Sequence, residues 1–426
     1  MAHHSVKAGY VGLADRLNRF PQGASPSALL YKILEMLFTE KEANLVSLLP
    51  LRPFTAEKAS RVWKMDRTDT RQVLDELCGR AILLDIEENG RQIYCLPPPM
   101  AGFFEFSLMR VRGDLDQKVL SELYYQYINV EDDFITDLFL SGETRLGRVF
   151  VHEPVLSREN ELYVLDYEKA TRVIKTATHI GISTCYCRHK MAHVGRDCDS
   201  PKEICMTFNA TASSLVKHGI ARRVDAGECL TLLETAYSHH LVQFGDNVRE
   251  GVNFICNCCG CCCEAMTVAR KFGPLHPVHT TNFIPEVAPD VCKGCGECVK
   301  KCPVEAMTLV SADETDHPGK TRARVNREIC LGCGVCSRAC PDGNIRLKRR
   351  DQRVITPLNT THRFVLMAIE RGKLHHFIFD NQVLASHRIL GAVLGVILKL
   401  PPAKQAMASR QVKSVYLETL IRRLNL

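Results

Sequence analysis

The chain lacks any apolar run long enough to cross a bilayer. Its longest, ILGAVLGVILKL from Ile389 to Leu400, stops short of the roughly 18 to 20 residues a spanning helix needs. The opening MAHHSVKAGYVGLADRLNRF has neither the apolar core nor the cleavage site of a secretory signal. A cytoplasmic protein is therefore expected, at most peripheral to a membrane complex. Also missing are a G-x-G-x-x-G turn and a phosphate-binding G-x4-G-K-[ST] loop, so no flavin or nucleotide site is expected. Neither H-E-x-x-H nor a C-x3-C-x2-C radical-initiating motif occurs. These absences remove common catalytic frameworks and leave one abundant reagent, the thiol.

Cysteine accounts for 21 of the 426 residues. The length suggests about two to four domains, and 46% hydrophobic with 24% charged residues is ordinary for a globular chain. In a cytosolic chain, clustered cysteines bind metal more often than they form disulfides. The densest stretch is VNFICNCCGCCCEAM, where Cys256, Cys258, Cys259, Cys261, Cys262 and Cys263 place six thiols in eight residues. Adjacent cysteines are poor partners for an unstrained disulfide, and thiols oxidise readily. The run points to a bound group that only thiolates hold well. Charge is uneven as well. Pro341 to Leu426 holds 15 Lys and Arg against 5 Asp and Glu, more than the whole net of +7, so any basic surface belongs to the tail.

Two stretches repeat one spacing. VCKGCGECVKKCPVEAM carries Cys292, Cys295, Cys298 and Cys302 before Pro303, and ICLGCGVCSRACPDGNI carries Cys330, Cys333, Cys336 and Cys340 before Pro341. Both read C-x2-C-x2-C-x3-C-P. Three cysteines two residues apart let a tight loop curl around three iron corners. Gly294, Gly296, Gly332 and Gly334 permit the curl and bring N–H groups near the sulfurs. Structural zinc instead takes paired C-x2-C knuckles with longer spacers. The pattern, over Asp290 to Leu347, resembles the bacterial two-cluster ferredoxin, which implies a compact α+β unit holding two [4Fe-4S] clusters. The resemblance also implies crossed ligation, the fourth cysteine of each repeat serving the other cluster. Cluster one would take Cys292, Cys295, Cys298 and Cys340; cluster two would take Cys330, Cys333, Cys336 and Cys302. Between the repeats, SADETDHPGKTRARV reads as an extended hairpin. The second repeat has Asp342, Gly343 and Asn344 where the first has Val304, Glu305 and Ala306.

Upstream, STCYCRHKMAHVGRDCDSPKEICMTF supplies Cys185, Cys187, Cys198 and Cys205. With the dense run there are ten thiols, enough for two cubanes with two spare. One or two additional iron–sulfur clusters are expected, with the ligand assignment open. A sharp turn at Gly260 would help two of the dense thiols converge with Cys256 and Cys258. Taken with the two repeats, the C-x-C-R…C-D-x-P-x3-C region and the C-x-C-C-x-C-C stretch resemble a family of multi-cluster iron–sulfur proteins of anaerobes, which implies electron transfer. Cys258, Cys259 and Gly260 also resemble the CCG motif of heterodisulfide reductases, present here in one copy. Arg188 could pair with cluster charge or with Asp199. His189 and His193, four apart, read as structural or solvated before metal-binding, and Cys78, Cys95 and Cys229 as ordinary buried cysteines.

The N-terminal part reads as helices over SALLYKILEMLF, TAEKASRVWKM and RTDTRQVLDEL, with Thr55 and Asp66 as N-caps, then a hairpin turning at Asn89-Gly90. This order resembles a winged helix. Its would-be recognition helix offers Arg67, Arg71 and Gln72 beside Asp66, Asp69, Asp75 and Glu76. The first hundred residues carry almost no net positive charge, so protein docking is favoured over DNA. LPPPMAGFF marks a boundary. Leu115 to Leu140 reads as helical, with Tyr124, Tyr125, Tyr127, Phe134 and Phe139 as core. DYEKATRVIKTA and DAGECLTLLETAYS read as helices flanking the cysteines, the second with an Asp225–Glu228 capping box. Past Arg350, three helical stretches end in AKQAMASRQVKSVYLETLIRRLNL. They suit a small bundle, or docking to an acidic partner or anionic surface.

The expected fold is α+β and multidomain. It comprises a winged-helix-like domain over 1–100 and a mostly helical cysteine-rich domain over 101–285. A two-cluster ferredoxin module over 286–350 and a basic helical tail over 351–426 complete it. The expected function is one-electron transfer as a subunit of an anaerobic oxidoreductase, to or from a catalytic partner, rather than stand-alone catalysis. Two alternatives stand beside it: a reductase or reductive activator acting at Cys256–Cys263, and a redox-sensing winged-helix regulator.

Overall fold

The computed structural model describes residues 8–88, 90–288, 291–311, 321–379 and 385–399. The chain falls into two units, one from Met1–Thr144, Ser213–Ile220 and Asn359–Leu426, the other from Arg145–Ala212 and Ala221–Leu358. Among the described residues, no helix is long and apolar enough to cross a membrane.

In the first unit, local signals set the helix starts. Ser27 caps Ala28–Leu37, and Thr39 with Glu42 forms a reciprocal box on Glu40–Ser47. Thr55 caps Ala56–Trp63, and Asp66 caps Arg67–Gly79. Ala8–Arg19 and Glu40–Ser47 are helices the sequence pattern did not reveal. Strands β1 (Leu84–Glu88) and β2 (Arg91–Cys95) pair antiparallel with Glu88 facing Arg91, so the chain reverses where the Asn-Gly signal stood; Asn89 itself lies outside the described residues. Most of the aromatic stretch is core: Tyr124, Tyr127, Phe134 and Phe139 are buried, as is Phe104 before it, while Tyr125 is half-buried, and the Tyr127 and Phe134 rings stack at 4.9 Å. Helices Thr360–Glu370, Leu374–Ile378 and Ala385–Lys399 follow. Val365, Ala368, Leu374 and Phe377 of this region pack on Phe20 and Leu51. The last expected helix, 403–426, lies outside the described residues.

The second unit is built on a sheet. Its strands are β3 (Gly147–Val149), β4 (Ile180–Thr184), β5 (Glu203–Phe208), β6 (Arg222–Arg223), β7 (Val242–Asp246) and β8 (Phe254–Cys258). All pairings are antiparallel, in the order β3-β7-β8-β5-β4-β6. The expectation of a mostly helical 101–285 omits this sheet: helical residues outnumber strand residues there, but six strands organise them. The strands escaped notice for a physical reason. β4, β5 and β7 are buried at nearly every position, so they lack the apolar–polar alternation that marks a half-buried strand. Ile182, Met206, Phe208 and Ile255 of the sheet pack with Ile174 and Leu233, which come from the helices Ala170–Thr176 and Ala226–Ser238. Asp225 caps the latter by accepting the Glu228 N–H at 2.8 Å.

The two cysteine repeats form a compact segment of this unit. Strand β9 (Phe283–Val287) pairs with β12 (Ile345–Arg349), and β10 (Met307–Val310) pairs with β11 (Arg322–Val325). The short helices Glu297–Lys301 and Val335–Ala339 contact each other. The β10–β11 pairing is the extended hairpin read from the sequence; its linking residues 312–320 lie outside the described set.

One polar tie in the first unit joins residues far apart in sequence. The buried Asp85 carboxylate accepts from Ser214 Oγ at 2.7 Å, from His218 Nε2 at 3.0 Å and from the Lys217 ammonium. Burial alone would raise the Asp85 pKa, but the bonds from His218, Lys217 and Ser214 outweigh it and hold the carboxyl well below its usual range. A depressed folded-state pKa gives stability that is present above the unfolded value of about 3.9 and is lost as pH falls through the folded value. Acid unfolding of the first unit followed by circular dichroism should therefore steepen below about pH 4, and Asp85→Asn should flatten that limb while lowering stability at neutral pH.

Candidate metal centre

Each repeat wraps its first three thiols around the start of a short helix and delivers the fourth at the helix end. Cys292, Cys295, Cys298 and Cys340 line one small cavity, together with Ala323 and Asn344. The N–H of Ala323 points at Cys292 Sγ at 3.4 Å, and that of Asn344 at Cys340 Sγ at 3.4 Å. Cys302 lies with the other repeat: burial raises the thiol pKa values of Cys330, Cys333 and Cys336, and the proximity of Cys302 adds to each. Gly332 donates to Cys330 Sγ at 3.4 Å and Ala306 to Cys302 Sγ at 3.2 Å. Gly332 is required here, because φ is +69° and a Cβ would fall 2.0 Å from the Phe283 carbonyl oxygen. The quartets differ in access. Cys295 is exposed and Cys292 and Cys340 half-buried, whereas Cys330, Cys333 and Cys336 are all buried.

These residues fit a thiolate-held cluster. The apolar centre of the segment is made of Cys298 and Cys336 with Met307, Ala323 and Ile345, and Cys292, Cys302 and Cys340 pack against it. Thiols replace the branched side chains of an ordinary core, and backbone donors aim at the sulfurs. Both are what an anionic iron–sulfur group asks of its surroundings.

The ten upstream thiols separate into two sets. Cys256 and Cys258 stand two apart on β8 and so share a face. Cys256 hydrogen-bonds Cys205 of β5 and Cys258, and Cys258 lies 3.1 Å from Cys263. The Cys263 and Cys187 thiols are in turn hydrogen-bonded, as are those of Cys187 and Cys185. The other set is Cys198, Cys259, Cys261 and Cys262, whose sulfurs all lie within 4.8 Å of one another. Beyond Gly260, then, Cys263 returns to Cys258 while Cys261 and Cys262 turn to Cys198.

Buried charge surrounds these thiols. Arg188 is fully buried and donates to the carbonyls of Pro201 and Asn257, each at 2.7 Å, rather than to Asp199. Burial opposes its charge, but Cys185, Cys259, Cys258 and Cys198 nearby raise its pKa on balance. The Cys256 thiol is pushed down by bonds from Cys205 and Cys258, and that of Cys259 by Cys262, with Arg188 assisting both. Lys190 and Glu264 form an ion pair at 2.5 Å with side chains 0% and 3% exposed. Sequence reading missed this pair; the one signal was that each lies in the cysteine motifs, Glu264 directly after Cys263. His189 and His193 bring their Nε2 atoms to 3.2 Å on one helix. Cys78 and Cys229 are buried and Cys95 is half-buried.

The dense run also touches the repeat segment. A Cβ on Gly260 would fall 2.7 Å from the carbonyl oxygen and 2.9 Å from Cα of Pro303, the residue after Cys302. Only glycine allows this approach. His152 N–H donates to the Cys333 carbonyl at 2.8 Å, and Arg350 to that of Cys330 at 2.6 Å.

Residues 291–344 match the family model of a 4Fe-4S dicluster domain. No curated protein and no solved structure matches the chain. The segment is therefore a ferredoxin-like iron–sulfur module, and the cysteine groups outside it suggest additional sites.

Breaking a buried ion pair leaves an uncompensated charge, at a cost of about 3–5 kcal/mol. Lys190→Met should lower unfolding stability by that order in anaerobic urea titrations. The double variant Lys190→Met/Glu264→Gln should regain much of the loss, since neither remaining group is charged.

Proposed function

We propose that this protein is a one-electron carrier, a subunit that passes electrons to or from a catalytic partner in an anaerobic oxidoreductase. Iron–sulfur electron transfer is the coarse reading that the dicluster module supports; membership of an anaerobic complex is the further step of the proposal. When bound, [4Fe-4S] groups supply reversible one-electron storage at potentials that cysteine ligation tends to keep low. Cys292, Cys295, Cys298 and Cys340 would hold one, and Cys330, Cys333, Cys336 and Cys302 the other.

The observation that carries the reading is graded access along contiguous packing. The quartet containing Cys295 reaches solvent, the quartet containing Cys333 is buried except at the half-buried Cys302, and Gly260 packs the upstream thiols onto Pro303 beside Cys302. One end can meet a partner while the interior excludes water, which otherwise tunes potential and admits oxidants. Backbone donors on the sulfurs hold the anionic ligands in place, so a change of charge needs little rearrangement.

The winged-helix-like segment suits protein docking better than DNA. The groove beside its helix Arg67–Gly79 is lined by Arg67 and Arg71 but also by Glu57, Asp75 and Glu76, a mixed set that gives little phosphate attraction.

The test is anaerobic. Full-length protein should carry about eight iron and about eight sulfide on the module and bleach reversibly with a low-potential reductant. Cys295→Ser should lose about half of that iron and slow electron exchange with a soluble one-electron dye. Colourless protein, or exchange unchanged in the variant, would overturn the reading.

A further inference from the structure

Four of the upstream thiols are drawn together more tightly than an iron–sulfur cubane requires. The sulfurs of Cys198, Cys259, Cys261 and Cys262 all lie within 4.8 Å of one another. Cys261 to Cys262 measures 3.7 Å and Cys198 to Cys262 measures 3.8 Å. A single tetrahedral ion with metal–sulfur bonds of about 2.3 Å sets its four sulfurs about 3.8 Å apart. A cubane puts each thiolate outside a different iron corner, so its four ligand sulfurs stand well beyond that spacing.

The same chain supplies the comparison. Among the described residues, no three of the eight module thiols lie within 4.8 Å of one another, which suits a larger group between them. Local geometry agrees. Cys259 and Cys262 form a C-x2-C knuckle, the spacing that presents two thiolates to one ion, and the Cys262 N–H points at Cys259 Sγ at 3.4 Å. The other two thiols come from a neighbouring loop, through Cys198, and from Cys261 at the exposed edge.

We propose that Cys198, Cys259, Cys261 and Cys262 hold one thiophilic metal ion, iron or zinc, without inorganic sulfide. The site is separate from the ferredoxin-like module and from whatever group the remaining six upstream thiols serve. Four thiolates around a divalent ion leave a net negative charge, and the buried Arg188 guanidinium acts on Cys198 and Cys259 to offset it. The inference rests on the reading of the upstream cysteines as metal-binding.

Stoichiometry tests it. In cubanes iron and sulfide are equal, whereas a thiolate-bound ion adds metal alone. Iron, zinc and acid-labile sulfide are measured per chain on anaerobically purified full-length protein. Iron plus zinc should exceed sulfide by one atom per chain. Cys198→Ser and Cys262→Ser should each abolish that excess and leave sulfide unchanged, and the element lost identifies the ion. The wild-type excess alone keeps the test valid if a variant misfolds. Equal metal and sulfide in the wild type, or loss of about four iron with about four sulfide in either variant, overturns the proposal. A missing complement of about eight iron and eight sulfide on the module would count against electron transfer, while the difference between metal and sulfide would still report this site.

Discussion

Ionised thiols repel one another, and this chain confines nineteen of its 21 cysteines, eight in the repeats, ten in the upstream sets and Cys229, to a single unit. Burial resists ionisation at Cys330, Cys333 and Cys336, and neighbouring thiols resist it further. Only bound cations relieve both effects together. The rest of the unit follows from that need. Strands β5 and β8 bring Cys205, Cys256 and Cys258 to one place, glycines let backbone approach where side chains could not, and Arg188 stands buried among the sulfurs. The small core of the module is nearly half cysteine, so binding its metal and completing its interior are coupled.

Access and burial divide the labour around this constraint. Exposed Cys295 and Cys261 mark the places where the thiol sites approach solvent, while carbonyls of Cys330 and Cys333 are tied by Arg350 and His152 to the surrounding fold. Polar groups so placed fix the buried loop without touching its sulfurs. Lys190 and Glu264 do similar work under the upstream set: a fully paired buried charge costs less than a lone one and specifies a single arrangement.

Much of the module was legible because its information is local. A three-thiol loop needs glycine and fixed spacing, and both stand side by side in the sequence; helix caps such as Thr55, Asp66 and Asp225 are equally short-range. The company kept by Cys302 and Cys340 came instead from resemblance, since nothing in three residues of spacing says which loop lies opposite. The upstream set was legible in composition but not in partition. Which thiols meet depends on the register of β5 against β8; β5 is buried at every position but its first, which erases the period that would have announced it, and β8 is only five residues long. The turn at Gly260 could be read; its seat against Pro303 could not, because a glycine chosen for close approach looks the same as one chosen for a bend.

The division of the chain into units has a further consequence for biogenesis. The first unit draws on residues before 144, on the short stretch 213–220 and on residues after 359, so the whole metal-binding unit is interleaved within it. A ribosome delivering this chain from its N-terminus completes the cysteine-bearing unit before the last pieces of the first unit emerge. The cysteine-bearing unit is thus complete in sequence before the residues from 359 onward that belong to the first unit are made.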